Sequence, residues 1–423
     1  MNYLQMSKEE LLSEKNALEA KYNDYKGEGL SLNMARGKPG AEQLAVSKPM
    51  LDVVNSETEC TVGGIDCLNY GVLDGIPSVK KMFADILEVS PDEVFVGGNS
   101  SLNLMFDTIS CFMTTGVAGC EPWIKQGGIK FLCPVPGYDR HFGITEYYGI
   151  EMINVPMTSD GPDMDMVEKL VSEDEKIKGI WCVPKYSNPT GITFSDETVR
   201  RFAKLKPAAP DFRIMWDNAY IIHDVTDNGD KLLSLMDECK KNGTEDMPIM
   251  FTSTSKITFP GSGVSAFACS ENNMKVLKKR YNFQTIGFDK INMLRHALYL
   301  KDSKGLIEYM KKHKALLAPK FECVLTALDS EVKQTGTAKW ETPNGGYFVS
   351  VDVMDGTAKE VVRLCKEAGV VLTGAGATYP YGKDPKDSNI RIAPSFPCVE
   401  ELEKAMQIFC VCVKLAAVNK LLA

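Results

Sequence analysis

At 423 residues, 44% hydrophobic and 25% charged, the chain reads as a globular protein too long for one compact core, and two or three domains are predicted. Its net charge of −8, with no run rich in lysine or arginine, argues against nucleic acid and anionic membranes as partners. No signal peptide is expected from an N-terminus that runs from Met1-Asn2-Tyr3 into a charged helical pattern, and the apolar run Ile408 to Val413 falls far short of the ~20 residues of a spanning helix.

Ser7 to Glu10 has the S-x-x-E form of a capping box and predicts a helix ending near Gly27 or Gly29. Leu30 to Pro49, which contains Ala35-Arg36-Gly37-Lys38-Pro39-Gly40, reads as irregular. From about residue 75, helix-length segments alternate with short apolar runs: Glu93–Val96, Lys130–Pro134, Glu151–Val155, Ile177–Val183, Arg213–Trp216, Ile249–Thr252 and Val264–Ala268. Runs rich in Val, Ile and Phe, bounded by Gly, Pro, Asn or Ser, predict buried strands in an α/β fold with a mostly parallel central sheet. After Ile291 the pattern is helical to about Leu328. Strands are expected near Tyr347–Val353 and Asn389–Ile392, with a closing helix from about Val399. The chain is thus expected to form a large domain, 45–315, and a small α+β domain built from both termini, 1–44 and 316–423.

Thirteen cysteines, an odd number set mostly in apolar segments and without a C-x-x-C pair, read as free buried thiols of a reducing compartment. A cytoplasmic protein is expected, and no metal site.

Five places could carry chemistry. Lys256 lies in Ser253-Thr254-Ser255-Lys256-Ile257, just after a buried strand, where burial would lower its pKa and expose the neutral amine needed for imine formation. Taken alone, it reads equally as a solvated loop lysine. Asp217 ends the strand before Asn218-Ala219-Tyr220, at the edge where α/β sheets bind ligands, although a helix cap is the competing reading. Asn188-Pro189-Thr190-Gly191 is also a good turn sequence. Gly97-Gly98-Asn99-Ser100-Ser101 joins a strand to an apolar helix and suits an anion at the helix N-terminus, or a simple N-cap. Arg391 alone would read as a strand arginine.

In combination these features are much more specific. The order Gly97-to-Ser101, Pro136-Gly137-Tyr138, Asn188-Pro189-Thr190-Gly191, Asp217-x-x-Tyr220, Ser253-x-Ser255-Lys256 and Arg391 resembles the fold-type I pyridoxal-phosphate (PLP) enzymes, class I/II aminotransferases, over nearly the whole chain. "S-T-S-K-I-T-F" and "G-N-S-S-L-N" resemble the aspartate aminotransferase subgroup. The resemblance implies pyridoxal 5′-phosphate as cofactor and Lys256 as its Schiff-base lysine and proton carrier. It implies that Asp217 pairs with the ring nitrogen, that Tyr220 and Asn188 bond the ring's phenolic oxygen, and that Tyr138 stacks on the ring. Ser100, Ser101 and Ser253, with Tyr70 from a neighbouring subunit of a homodimer, would hold the phosphate. Arg391 and the Gly37 N–H would hold the α-carboxylate of an amino-acid or 2-oxo-acid substrate, expected to be aspartate and 2-oxoglutarate.

One departure stands out. Most of the family has an arginine eight residues after the lysine, where this chain has Val264. Lys290 is a candidate replacement, and Lys38 and Lys290 are candidate contacts for a substrate's second carboxylate. A β-lyase or decarboxylase on the same scaffold, and a non-catalytic PLP-sensing regulator, are the competing functions; the acidic composition argues against the regulator's DNA binding.

Overall fold

All seven apolar runs become strands of one eight-stranded sheet in the computed structural model, which describes residues 2–423. Across the sheet the order is Val94–Val96, Ser265–Cys269, Pro248–Ser253, Arg213–Asp217, Ile177–Cys182, Lys130–Val135, Glu151–Thr158 and the added two-residue strand Gly161–Pro162. The pairings from Pro248–Ser253 through Glu151–Thr158 are parallel. Ser265–Cys269 runs antiparallel to both its neighbours. The central strands are buried along their whole length, which explains why they read as continuous apolar runs rather than alternating ones.

Strand periodicity then divides the core. Ile214 and Trp216 enter one apolar cluster and Met215 the other; Met250 parts from Ile249 and Phe251 in the same way. Helices such as Pro77–Leu87 cover the first face, and Ser101–Thr115 covers the second.

A third cluster joins Tyr3, Leu11, Leu18, Tyr22 and Met34 to residues from Leu317 to Val418, so both ends of the chain share one core. The capping box forms: the Ser7 N–H donates to Glu10 Oε2 at 2.7 Å, and the Glu10 N–H to Ser7 Oγ at 3.3 Å, opening the helix Lys8–Gly27. Val399–Leu422 is long and apolar enough to cross a membrane, yet 72% of its most apolar window is buried inside this chain, where it is the central helix of the third core. The helix Ser303–Glu331 runs through position 315 and sends Leu306, Tyr309 and Met310 to one core and Leu317, Phe321 and Val324 to another.

Some elements differ from expectation. The stretch read as irregular contains the helix Ala41–Ser47, whose Gln43 and Ser47 are buried and hydrogen-bonded. Polar buried positions hide a helical apolar face from a hydropathy reading. The helix Ala358–Glu367 and the strand Ala338–Trp340 also lie beyond the expected elements. All thirteen cysteines are free, and nine are buried.

Candidate active site

The carboxyl ends of the parallel strands converge on a cavity of about 220 Å³. Its walls include Ser100, Ser101, Tyr138, Asn188, Asp217, Tyr220, Ser253, Ser255 and Lys256. Residues separated by more than 150 positions therefore meet because each follows a strand of one sheet, at the edge where such sheets bind ligands.

Asp217 is the last residue of its strand and is buried at 2% exposure. No helix starts beside it, so it caps nothing. Its Oδ2 lies 3.0 Å from His141 Nε2, while its buried Oδ1 has no protein partner. His141 was not anticipated from sequence. It is held flat against Trp181, with ring centroids 4.4 Å apart, and meets Tyr138 edge-on. Its one available signal was a helical spacing of three from Tyr138, which puts both on one face.

Lys256 faces Asp217 across the site, its Nζ 4.8 Å from the centre of the Tyr220 ring. Burial lowers its pKa below that of an ordinary lysine; the charge of Asp217 opposes the shift and that of Arg391 adds to it. The backbone behind it is pinned, since Tyr347 Oη donates to the Lys256 carbonyl at 3.1 Å and accepts from Gln43 Nε2 at 2.8 Å. Burial also raises the Tyr220 and Tyr138 hydroxyls well above the ordinary tyrosine value, with Asp217 contributing to both, so each stays a neutral donor.

At one end of the cavity lie four hydroxyls. Ser100 is the N-cap of the helix Ser101–Thr115 and accepts from the Leu102 N–H at 3.2 Å. Ser253 Oγ donates to Ser255 Oγ at 3.1 Å, and Ser255 Oγ donates to the Asn99 carbonyl at 3.2 Å. Hydroxyls gathered at a helix N-terminus form a cradle suited to an anion.

Arg391 lies in the strand Asn389–Ile392 and is buried, with its guanidinium 4.9 Å above the Phe348 ring. Its Nη1 donates to Asn188 Oδ1 at 3.2 Å and to Asp139 Oδ1 at 3.0 Å, and its Nη2 to Thr373 Oγ1 at 3.3 Å. Asp139 and Thr373 were not singled out from sequence. Gly37 packs against the tip of the Phe348 ring so closely that a Cβ would lie 2.3 Å from Cζ.

Three expected residues sit apart from the cavity. Tyr70 is 83% exposed and its own chain does not bring it to the site. Lys290, a candidate for phosphate or substrate, is instead buried and donates to the carbonyls of Asn69 at 2.6 Å and Gly71 at 2.9 Å. A lysine buried with two carbonyl partners braces that loop and leaves one N–H of its ammonium unassigned. Lys38 rests its ammonium 4.0 Å above the Phe396 ring.

The family model for aspartate aminotransferase matches residues 6–423. The chain is 46% identical to an aspartate aminotransferase of Corynebacterium glutamicum over 401 residues, 95% of this chain and 93% of that one. It superposes on the crystal structure of an aspartate transaminase from the same species with a TM-score of 0.96, at 44% identity and 99% coverage of both chains. The fold also matches a Thermus thermophilus alpha-aminoadipate aminotransferase solved in complex with N-(5′-phosphopyridoxyl)-L-leucine (TM-score 0.74, 19% identity, 92% of this chain and 93% of that one). With the strand-end cavity and its lysine–aspartate pair, these matches make the chain a member of the aspartate aminotransferase family, an aminotransferase of the fold-type I α/β architecture.

Proposed function

We propose that this aminotransferase moves the amino group of aspartate to 2-oxoglutarate, using pyridoxal 5′-phosphate attached to Lys256. The observation that carries the reading is the unpartnered, buried Oδ1 of Asp217 in the same small cavity as a lysine of lowered pKa. A buried carboxylate oxygen without a donor is costly unless a cationic N–H meets it, and a protonated pyridine nitrogen is such a group.

The residues present fit that cofactor. Asp217 would hold the ring nitrogen, braced by His141. Tyr138 would cover the ring, and Tyr220 and Asn188 would reach its phenolic oxygen. Ser100, Ser101, Ser253 and Ser255 would take the phosphate with the dipole of the Ser101–Thr115 helix. Four hydroxyls and a helix terminus support an account in which no arginine is needed at position 264. When bound, the cofactor supplies an electron sink that makes the substrate Cα–H bond acidic. The Lys256 amine, kept from permanent protonation by burial, would take the substrate Cα proton and give a proton back. Arg391 would hold the α-carboxylate, and the Gly37 N–H would add to that hold.

A homodimer belongs to the same proposal. Tyr70 and Leu68, 83% and 74% exposed, stand on the loop that Lys290 braces, beside Phe283 and Ile286, also largely exposed. Apolar side chains displayed on a rigid loop suit a partner subunit whose phosphate Tyr70 would reach. The small domain, 1–44 and 316–423, and the large domain, 45–315, would enclose substrate between them. The free thiols suit the cytoplasm.

The test is a panel of donors with 2-oxoglutarate. A kcat/KM highest for aspartate supports the substrate assignment, and a preference for alanine or phenylalanine overturns it.

A further inference from the structure

The guanidinium of Arg391 already has a carboxylate neighbour. Asp139, the first residue of the helix Asp139–Tyr147, forms an ion pair with Nη1 at 3.0 Å. Asn188 Oδ1 takes a second bond from the same nitrogen at 3.2 Å. Nη1 carries only two hydrogens, so both are committed. Nη2 has one partner, Thr373, and the buried Nε has none. An arginine can receive a carboxylate end-on, through Nη1 and Nη2, or side-on, through Nε and Nη2. In this chain the end-on fork is closed, while the buried Nε of the side-on edge has no partner.

We propose that Asp139 is a positioning residue that fixes Arg391 by its Nη1 end and partly neutralises it, so that the substrate carboxylate binds on the Nε–Nη2 edge and is held more loosely than by a free guanidinium. The proposal rests on Arg391 as the α-carboxylate anchor. The physical basis is charge: the incoming carboxylate meets a cation that shares its field with a fixed anion at the same group. Asp139 is about one third exposed, so water and salt screen part of this effect, which places it among modest rather than deep electrostatic contributions. Such a device suits an enzyme that must release an oxo acid after each half-reaction, because a fully charged, desolvated fork would retain product.

Asp139→Asn and Asp139→Ala separate the two parts of the role. Asparagine keeps the Oδ1 acceptor and loses the charge; alanine loses both. The holoenzyme is titrated calorimetrically with succinate, a dicarboxylate that cannot transaminate, at low and at high salt, alongside Arg391→Ala. The expected result is succinate binding about threefold to fivefold tighter in Asp139→Asn, a gain that shrinks with salt, together with a lower KM for aspartate and no rise in kcat. Asp139→Ala is expected to bind succinate more weakly than Asp139→Asn, since its guanidinium is no longer aimed. Equal or weaker binding in Asp139→Asn, with binding abolished in Arg391→Ala, overturns the role of Asp139 and leaves the anchor intact. Unchanged binding in Arg391→Ala removes the anchor itself, and the proposal with it.

Discussion

Gly37→Ala is the smallest perturbation with a large expected effect. The added Cβ would lie 2.3 Å from Phe348 Cζ and 2.6 Å from Cε1, where ordinary contact begins at 3.4 Å, so the ring must retreat by about 1 Å. Phe348 is buried and cannot swing into solvent, and the Arg391 guanidinium lies 4.9 Å over its ring. A shift of the ring disturbs the carboxylate anchor that rests on it. Over-packing of this kind costs ~1–3 kcal/mol of stability. A displacement of ~1 Å at a substrate-positioning group can cost ~10²-fold in rate. The expected outcome is a fall in kcat/KM for aspartate of ~10- to 100-fold, with the cofactor's visible band retained. The assay is steady-state oxaloacetate formation, with a thermal melt as control. Adding Phe348→Leu should make room and restore part of the loss, a coupling that independent sites would not show. A Gly37→Ala enzyme within about twofold of wild type, with an unchanged melt, would refute the stack of Gly37, Phe348 and Arg391 as the positioning device.

Asp217→Asn should lower kcat by ~10²–10³ while leaving the melting curve nearly intact, because a positioned charge is lost without a change of shape; near-normal turnover would show that the ring nitrogen needs no anion there. Lys290→Met should free the loop of Tyr70 and raise the Kd for added cofactor while leaving aspartate selectivity unchanged; a loss of dicarboxylate preference instead would return Lys290 to the substrate site. Burial holds the pKa of His223 at about 3 and those of His296 and His313 at about 4, against an ordinary 6.5. The unfolded chain takes up these protons first as pH falls, so their contribution to stability is complete above 6.5 and lost below it. The expected slope averages ~1 kcal/mol per pH unit for each between pH 7 and 5 and approaches ~1.4 below pH 5.5, read from urea unfolding. His313→Gln should reduce that slope, and an unchanged slope would mean that His313 is protonated in the folded protein.

The strands were legible in the sequence because each is a short apolar run that the sheet buries on both faces, and the site residues were legible where they terminate those strands. Asp217 and Ser253 end their strands, and Lys256 follows three residues past one. His141, Asp139 and Thr373 were missed because their roles arise only when separate elements meet: His141 matters because Asp217 arrives 76 positions later, and Thr373 because Arg391 does. Lys290 was misread for the same reason. The arginine missing at position 264 made it a candidate substitute, and a candidate contact for a second carboxylate, whereas the fold turns it inward onto the carbonyls of Asn69 and Gly71. The helix Ala41–Ser47 was missed because Gln43 and Ser47, polar in sequence, are buried to serve Tyr347 and Tyr309.

The central claim is that Lys256 carries the cofactor, and reductive trapping tests it most directly. The purified protein, incubated with pyridoxal 5′-phosphate and treated with borohydride, is digested and its peptides are mapped by mass. The account predicts loss of the visible imine band and a single phosphopyridoxyl adduct on the Lys256 peptide, absent from Lys256→Ala. An adduct on another lysine, or no uptake of the cofactor at all, would contradict it.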